Sequence, residues 1–303
     1  MGRRPDFYII GAPKAGTTAM YEYLRQHPQI YMPERKELRY FGSDLEIRDR
    51  TPLTLEQYLD YFRDAGDAAR VGTAYVWYLY SSNAAREIHE FAPHASVLVM
   101  LRNPVDAIYA LHSENLFNGN EDIADIRAAL AAEPDRRAGR RIPPHSHLVQ
   151  GLFYSEVPRY SRQLERYFDV FGRDCVHVII FDDFVSDPAA AYRETLAFLG
   201  VDTAFSPREF AVINANKRVR SEAFRHWLSH PPHLPRRIIR ATVPQRLRRG
   251  AYELAKRANV TTPARPPMPA DLRQQLRDQF APEIDRLGRL LGRDLNAWSR
   301  PPI

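Results

Sequence analysis

A chain of 303 residues that is 44% hydrophobic can bury a large core, as one α/β domain with excursions or as a domain plus a small helical lobe. It has no run of about 20 apolar residues that would span a membrane, and its single cysteine, Cys175, excludes intrachain disulfides and cysteine-rich metal sites. The net charge of +6 suits anionic ligands, whether a polyphosphate cofactor, nucleic acid or an anionic membrane.

The chain opens Met-Gly-Arg-Arg-Pro-Asp, with no apolar signal region and with Asp6 where a myristoylation signal needs Ser or Thr, so a cytoplasmic location is expected. Residues 7–10 predict a first strand, a glycine loop follows, and 17–26 predict a helix ending near Pro28. Amphipathic spacing predicts helices at 54–63 and 83–91, the second stopped by Pro93. The continuous apolar runs 96–102 and 175–181 read as strands buried in a parallel sheet. A long helix at 155–171 lies between them, and helices at 188–199 and 269–291 follow. Strands alternating with helices indicate an α/β fold, a mainly parallel sheet with helices on both faces, in one domain over 1–303. Two stretches stand apart. Residues 117–150 read as an acceptor-covering excursion or a polar linker. Residues 222–265 read as a basic helical region around Trp227 and Ile238, suited to peripheral membrane contact or simply to solvent.

The loop Gly11-Ala-Pro-Lys-Ala-Gly-Thr-Thr18 makes the sheet P-loop-like, with its lysine displaced. A nucleotide-hydrolysing P-loop has Gly, four residues, Gly, then Lys and Ser/Thr, so that the lysine reaches the terminal phosphates and the hydroxyl holds magnesium. Gly11 and Gly16 keep that spacing, but Thr17 stands where the lysine belongs and the ammonium sits inside the loop at Lys14. There it can neutralise a bridging or leaving oxygen, while loop amides and the helix N-terminus hold the anion. The other lysines are Lys36, Lys217 and Lys256, so Lys14 stands out in a basic set made almost entirely of arginine. A solvated lysine on an ordinary strand-to-helix turn is the alternative.

The segment Pro13-Lys14-Ala15-Gly16-Thr17-Thr18 resembles the 5'-phosphosulfate loop of the sulfotransferases that use 3'-phosphoadenosine 5'-phosphosulfate (PAPS). The resemblance is to bacterial type-1 sulfotransferase domains, which are related to the heparan sulfate sulfotransferases. It implies that these six residues bind the cofactor and that transfer needs no metal. Residues 96–102 end in Arg102, followed by Asn103-Pro104-Val105-Asp106. The equivalent segment in the family contacts the 3'-phosphate. A serine common eight residues further on is replaced by Ala110, and Ser113 is the nearest hydroxyl on that helical face. A salt bridge from Arg102 to Asp106 is the alternative. Residues 214–221 resemble the late segment that closes over the 3'-phosphate, with Lys217, Arg218 and Arg220 as candidate contacts, against a solvated basic turn.

Residues 33–41, with Lys36, Glu37 and Arg39, are similar to the Glu-Val-His-Phe-Phe and Lys-Glu-Pro-His-Phe-Phe stretches of the family. That similarity implies Glu37 as the base and Lys14 as the stabiliser of the released oxygen. Arg39 stands in place of a common histidine. A histidine base, as in the cytosolic phenol and steroid enzymes, leaves His112, His145 and His147 as alternatives by position. Asp182 and Asp183 read as caps of the turn leading to Asp187-Pro188, or as magnesium ligands on a kinase reading. The resemblance also takes in 198–200 and 291–298, and so most of the chain. It implies transfer of a sulfuryl group from PAPS to a hydroxyl of a small molecule, sugar or lipid, with no nucleic acid partner. A P-loop nucleotide kinase and a non-catalytic nucleic-acid-binding protein remain the alternatives.

Overall fold

Every residue of β1 (Phe7–Gly11) is buried, as are all but the first of β4 (Ser96–Leu101), which is why both read as unbroken apolar runs. They are the middle of a sheet completed by β2 (Ile30–Tyr31), β3 (Arg70–Ala74) and β5 (Val176–Ile180), in the order β2-β3-β1-β4-β5. All the pairings between them are parallel. The computed structural model describes residues 3–48, 51–211 and 266–299, together with 218–219 and 260–261.

The strands β2 and β3 were not expected. In β3, Gly72 faces Phe7 of β1, and a Cβ at that glycine would fall 2.0 Å from the Phe7 ring, so the missing side chain is the space the ring occupies.

Helices α1 (Thr17–Leu24), α2 (Leu55–Asp60), α3 (Ala84–Phe91) and α4 (Pro104–Asn118) occupy the first half of the fold. The helix expected at 54–63 stops at Asp60, and the one expected at 155–171 is α7, starting only at Tyr160. Residues 117–150 are more ordered than a loop: they contain α5 (Ile126–Ala131) and α6 (Glu133–Arg137). A fully buried ion pair, Arg136 Nη2 to Glu121 Oε1 at 2.7 Å, ties them together. The same carboxylate accepts the Tyr154 hydroxyl at 2.9 Å, and Arg136 also reaches the Leu152 carbonyl. The far end of the excursion is fastened by a bridge between Ile47 and Leu148 and by the Arg48 amide donating to the His147 carbonyl at 2.9 Å.

The second half holds α7 (Tyr160–Phe171), α8 (Phe181–Ser186), α9 (Pro188–Leu199) and α10 (Ala270–Leu291). Along β5, Val176, Val178 and Ile180 border a hollow shared with Phe168 of α7. His177 instead stacks on Phe198 of α9, ring centroids 5.1 Å apart. Side chains alternate along a strand, so α7 and α9 cover opposite faces of the sheet, as expected from the sequence. Among the described residues, no helix is long and apolar enough to cross a membrane.

The chain divides into two compact units, one made of Met1–Ile213 with Met268–Ile303 and one of Asn214–Pro267. In the second, β6 (Arg218–Val219) pairs antiparallel with β7 (Val260–Thr261). The basic helical region expected at 222–265 lies outside the described residues, apart from Val260 and Thr261, which are strand.

Candidate functional site

The loop after β1, the residue that follows β4 and the loop carrying Glu37 all meet at the carboxyl ends of the adjacent strands β3, β1 and β4, the edge where open parallel sheets hold ligands. The Ala12 amide donates to the Met100 carbonyl at 2.7 Å and carries the β1–β4 pairing into the loop. Lys14 has φ of 64° and Gly16 has φ of 89°, both left-handed. At Gly16 the requirement is also steric, because a Cβ would lie 3.2 Å from the rings of Phe181 and Phe184. Gly16 caps α1 without a side chain, so no side-chain oxygen takes the first-turn amides of Thr17 and Thr18. Pro13, Ala15 and Thr17 are buried, while Lys14, Gly16 and Thr18 are half-buried, as a loop that presents backbone to an anion requires.

Arg102 closes this cradle from the β4 side. Its Nη1 donates to the Lys14 carbonyl at 3.2 Å, and its guanidinium carbon lies 4.6 Å from the Phe181 ring centroid. It does not pair with Asp106, which holds Arg273 at 2.9 Å, so that alternative is overturned. The next residue, Asn103, donates to the Trp298 carbonyl at 3.2 Å, and the Trp298 indole donates to Asp182 at 2.5 Å. Asp183 pairs with Arg293. Neither aspartate caps the next turn. Asp187 does so, accepting from the Ala190 amide at 2.9 Å.

Glu37 approaches from the β3 side. Its amide donates to the Ala74 carbonyl at 3.1 Å, and its Oε2 accepts the Val76 amide at 3.1 Å. Its Oε1 is in contact with Lys36 Nζ. The backbone after Glu37 is anchored by the buried Tyr78 hydroxyl, which donates to the Leu38 carbonyl and accepts from Tyr40 and Phe41 amides. The Glu87 carboxylate takes the Gly42 amide at 2.6 Å. Arg39 turns within its own loop to the Leu45 carbonyl at 3.3 Å.

The remaining candidates are sorted by their contacts. His112 is buried, with Nε2 2.9 Å from the Ile123 carbonyl, and burial holds its imidazole below the usual histidine value. It is a core histidine. His147 lies beside Asn120 in the excursion, and His145 is exposed there. Ser113 returns its hydroxyl to the Tyr109 carbonyl at 2.9 Å. Arg218 is on β6 in the second unit, and Lys217 and Arg220 lie outside the described residues.

One contact escaped the sequence reading. Lys14 Nζ lies 3.1 Å from Glu114 Oε2 on α4. Glu114 stands four residues beyond Ala110, on the same helix face, and that spacing is the signal that could have found it.

A model of the Sulfotransferase family matches residues 5–206. Bifunctional heparan sulfate N-deacetylase/N-sulfotransferase 4 of Mus musculus is 25% identical over 224 residues, covering 70% of this chain and 24% of that protein. Carbohydrate sulfotransferase 15 of Homo sapiens is 30% identical over 149 residues, covering 35% of this chain and 26% of that protein. The chain therefore spans about a quarter of the length of these curated relatives. A crystal structure of a sulfotransferase from Alicyclobacillus acidocaldarius matches with a TM-score of 0.73 at 30% identity, over 98% of this chain and 100% of that one. With the family model spanning two-thirds of its length and the shared fold nearly all of it, the chain belongs to the sulfotransferase family.

Proposed function

We propose that the protein transfers a sulfuryl group from PAPS to a hydroxyl of an acceptor, with a sugar or other small molecule as the first class to test. The observation that carries this reading is the convergence of Lys14, Arg102 and the uncapped first turn of α1 on one sheet edge, with the Glu37 carboxylate at the neighbouring strand end.

The residues fit the donor chemically. Gly16 leaves open backbone where a Cβ would press on Phe181, the first-turn amides of α1 have no side-chain cap, which suits an anion, and two cations flank them. Pro13 to Thr18 would hold the 5'-phosphosulfate end, and Arg102 the 3'-phosphate. When bound, PAPS supplies a sulfuryl group whose bond to the 5'-phosphate breaks as the acceptor oxygen bonds to sulfur, leaving adenosine 3',5'-bisphosphate (PAP).

Glu37 receives the acceptor's proton. With one contact each from Val76 and Lys36, its two oxygens keep lone pairs for a hydroxyl. Lys14 places its positive charge where negative charge builds on the departing oxygen. The excursion from 117 to 150, fastened beside the Glu37 loop through Leu148 and His147, forms the acceptor side. The names of the relatives, a heparan sulfate N-sulfotransferase and a carbohydrate sulfotransferase, support a carbohydrate acceptor there.

The test is calorimetric titration of PAP against ATP with magnesium, followed by turnover of Glu37→Gln. PAP binding, no ATP binding and a Glu37→Gln enzyme that keeps PAP affinity while losing turnover support the reading. Preference for ATP with magnesium overturns the donor, and full turnover by Glu37→Gln overturns the base.

A further inference from the structure

Lys14 is the only charged residue of the loop from 11 to 18, and its ammonium is already engaged by the Glu114 carboxylate at 3.1 Å. The two side chains are 21% and 40% exposed, so the pair is only partly screened by water. The Lys14 carbonyl is held independently by Arg102 at 3.2 Å. The lysine is thus fixed at both ends, its backbone from β4 and its ammonium from α4.

A carboxylate in this position has the wrong sign for a site that takes a polyanion. It neutralises the loop's cation and repels whatever phosphate arrives. Nothing in the packing demands the acid, since Glu114 is on the half-exposed flank of α4 and no other ion pair to it is formed among the described residues. Its consequence is energetic competition: the nucleotide must take Lys14 from Glu114, and on departure Lys14 has a partner to return to.

We propose that Glu114 is a positioning residue acting through Lys14, which lowers the affinity of the loop for PAP and so favours release of the spent nucleotide. This rests on the donor reading above, in which Lys14 faces the nucleotide.

The test is a double-mutant cycle read as PAP dissociation constants by titration calorimetry, using Glu114→Gln, Lys14→Met and the double variant. Glu114→Gln is expected to tighten PAP about two- to fivefold, the range of a partly exposed ion pair. In the Lys14→Met background the same change is expected to tighten it by a smaller factor, because only direct repulsion is then relieved. Glutamine keeps the helix propensity of glutamate, and an unchanged melting temperature confirms the fold. Equal tightening in both backgrounds, or no tightening by Glu114→Gln alone, overturns the proposal while leaving the donor reading intact. Unchanged PAP affinity in Lys14→Met overturns both.

Discussion

The Tyr78 hydroxyl donates to the Leu38 carbonyl at 3.0 Å, one residue beyond the candidate base Glu37. The same oxygen accepts the Tyr40 amide at 3.1 Å, and burial pushes the phenol's pKa well up, so it stays a protonated donor. Tyr78→Phe keeps the ring and removes these anchors, costing about 1–3 kcal/mol of stability through unsatisfied backbone groups. Turnover should fall about tenfold or more through misplacement of Glu37, with PAP affinity retained. Thermal melts, initial rates and calorimetry together check this. Equal losses in turnover and PAP affinity would show general damage instead.

Arg102 acts through a planar group that bonds the Lys14 carbonyl and stacks on Phe181 at 4.6 Å. Arg102→Lys keeps the charge but not the fork or the stacking, so it should not rescue Arg102→Ala. Both variants are expected to weaken PAP about tenfold or more, the scale of a lost charge-assisted hydrogen bond. Adenosine 5'-phosphate, which lacks the 3'-phosphate, should lose much less. Equal losses for the two nucleotides would leave Arg102 as a support of the loop alone.

Gly16→Ala forces an L side chain into the left-handed region at φ of 89°, with its Cβ 3.2 Å from Phe181. The strain is about 1–2 kcal/mol, and it is relieved only by shifting the first turn of α1. PAP affinity should fall more than stability does, as titration and melting of the same sample will show.

Acid should weaken the fold in part through two groups at the core of the excursion, His112 and Glu121. Burial depresses His112, so its contribution is present above the unfolded value and is lost as pH falls from about 6.5. Burial alone raises the Glu121 carboxyl, but hydrogen bonds from Arg136, the Ile123 amide and Tyr154 outweigh it and hold the group below the usual glutamate value. Its contribution is likewise lost on acidification, from about 4.3 downward. Melting curves across pH should show a smaller loss at the lower pH in Glu121→Gln and a smaller loss at the higher pH in His112→Gln, with half-buried His177 still contributing to the latter. At neutral pH, Arg136→Met should cost about 3–5 kcal/mol by leaving a buried charge without its partner.

The strands that carry the loop and Arg102 were legible because both of their faces are buried and the residues run apolar without interruption. β3 was not, since Arg70, Gly72 and Thr73 break any such run and the glycine is there only for the Phe7 ring. α5 and α6, at six and five residues, are too short to show a helical period. Lys14 was legible from its displaced place in the glycine loop and Glu37 only from resemblance, and the structure adds what holds each of them. Tyr78 lay hidden in an aromatic stretch with no period. Among the histidines, position could not separate surface from core, and the burial of His112 does.

Trp298 joins the ends of β4 and β5 by receiving Asn103 and giving its indole hydrogen to Asp182. A nascent chain therefore leaves Asn103 and Asp182 unbraced until that tryptophan has left the ribosome. Shortening the protein from its carboxyl side should erode nucleotide capture before it unravels the sheet.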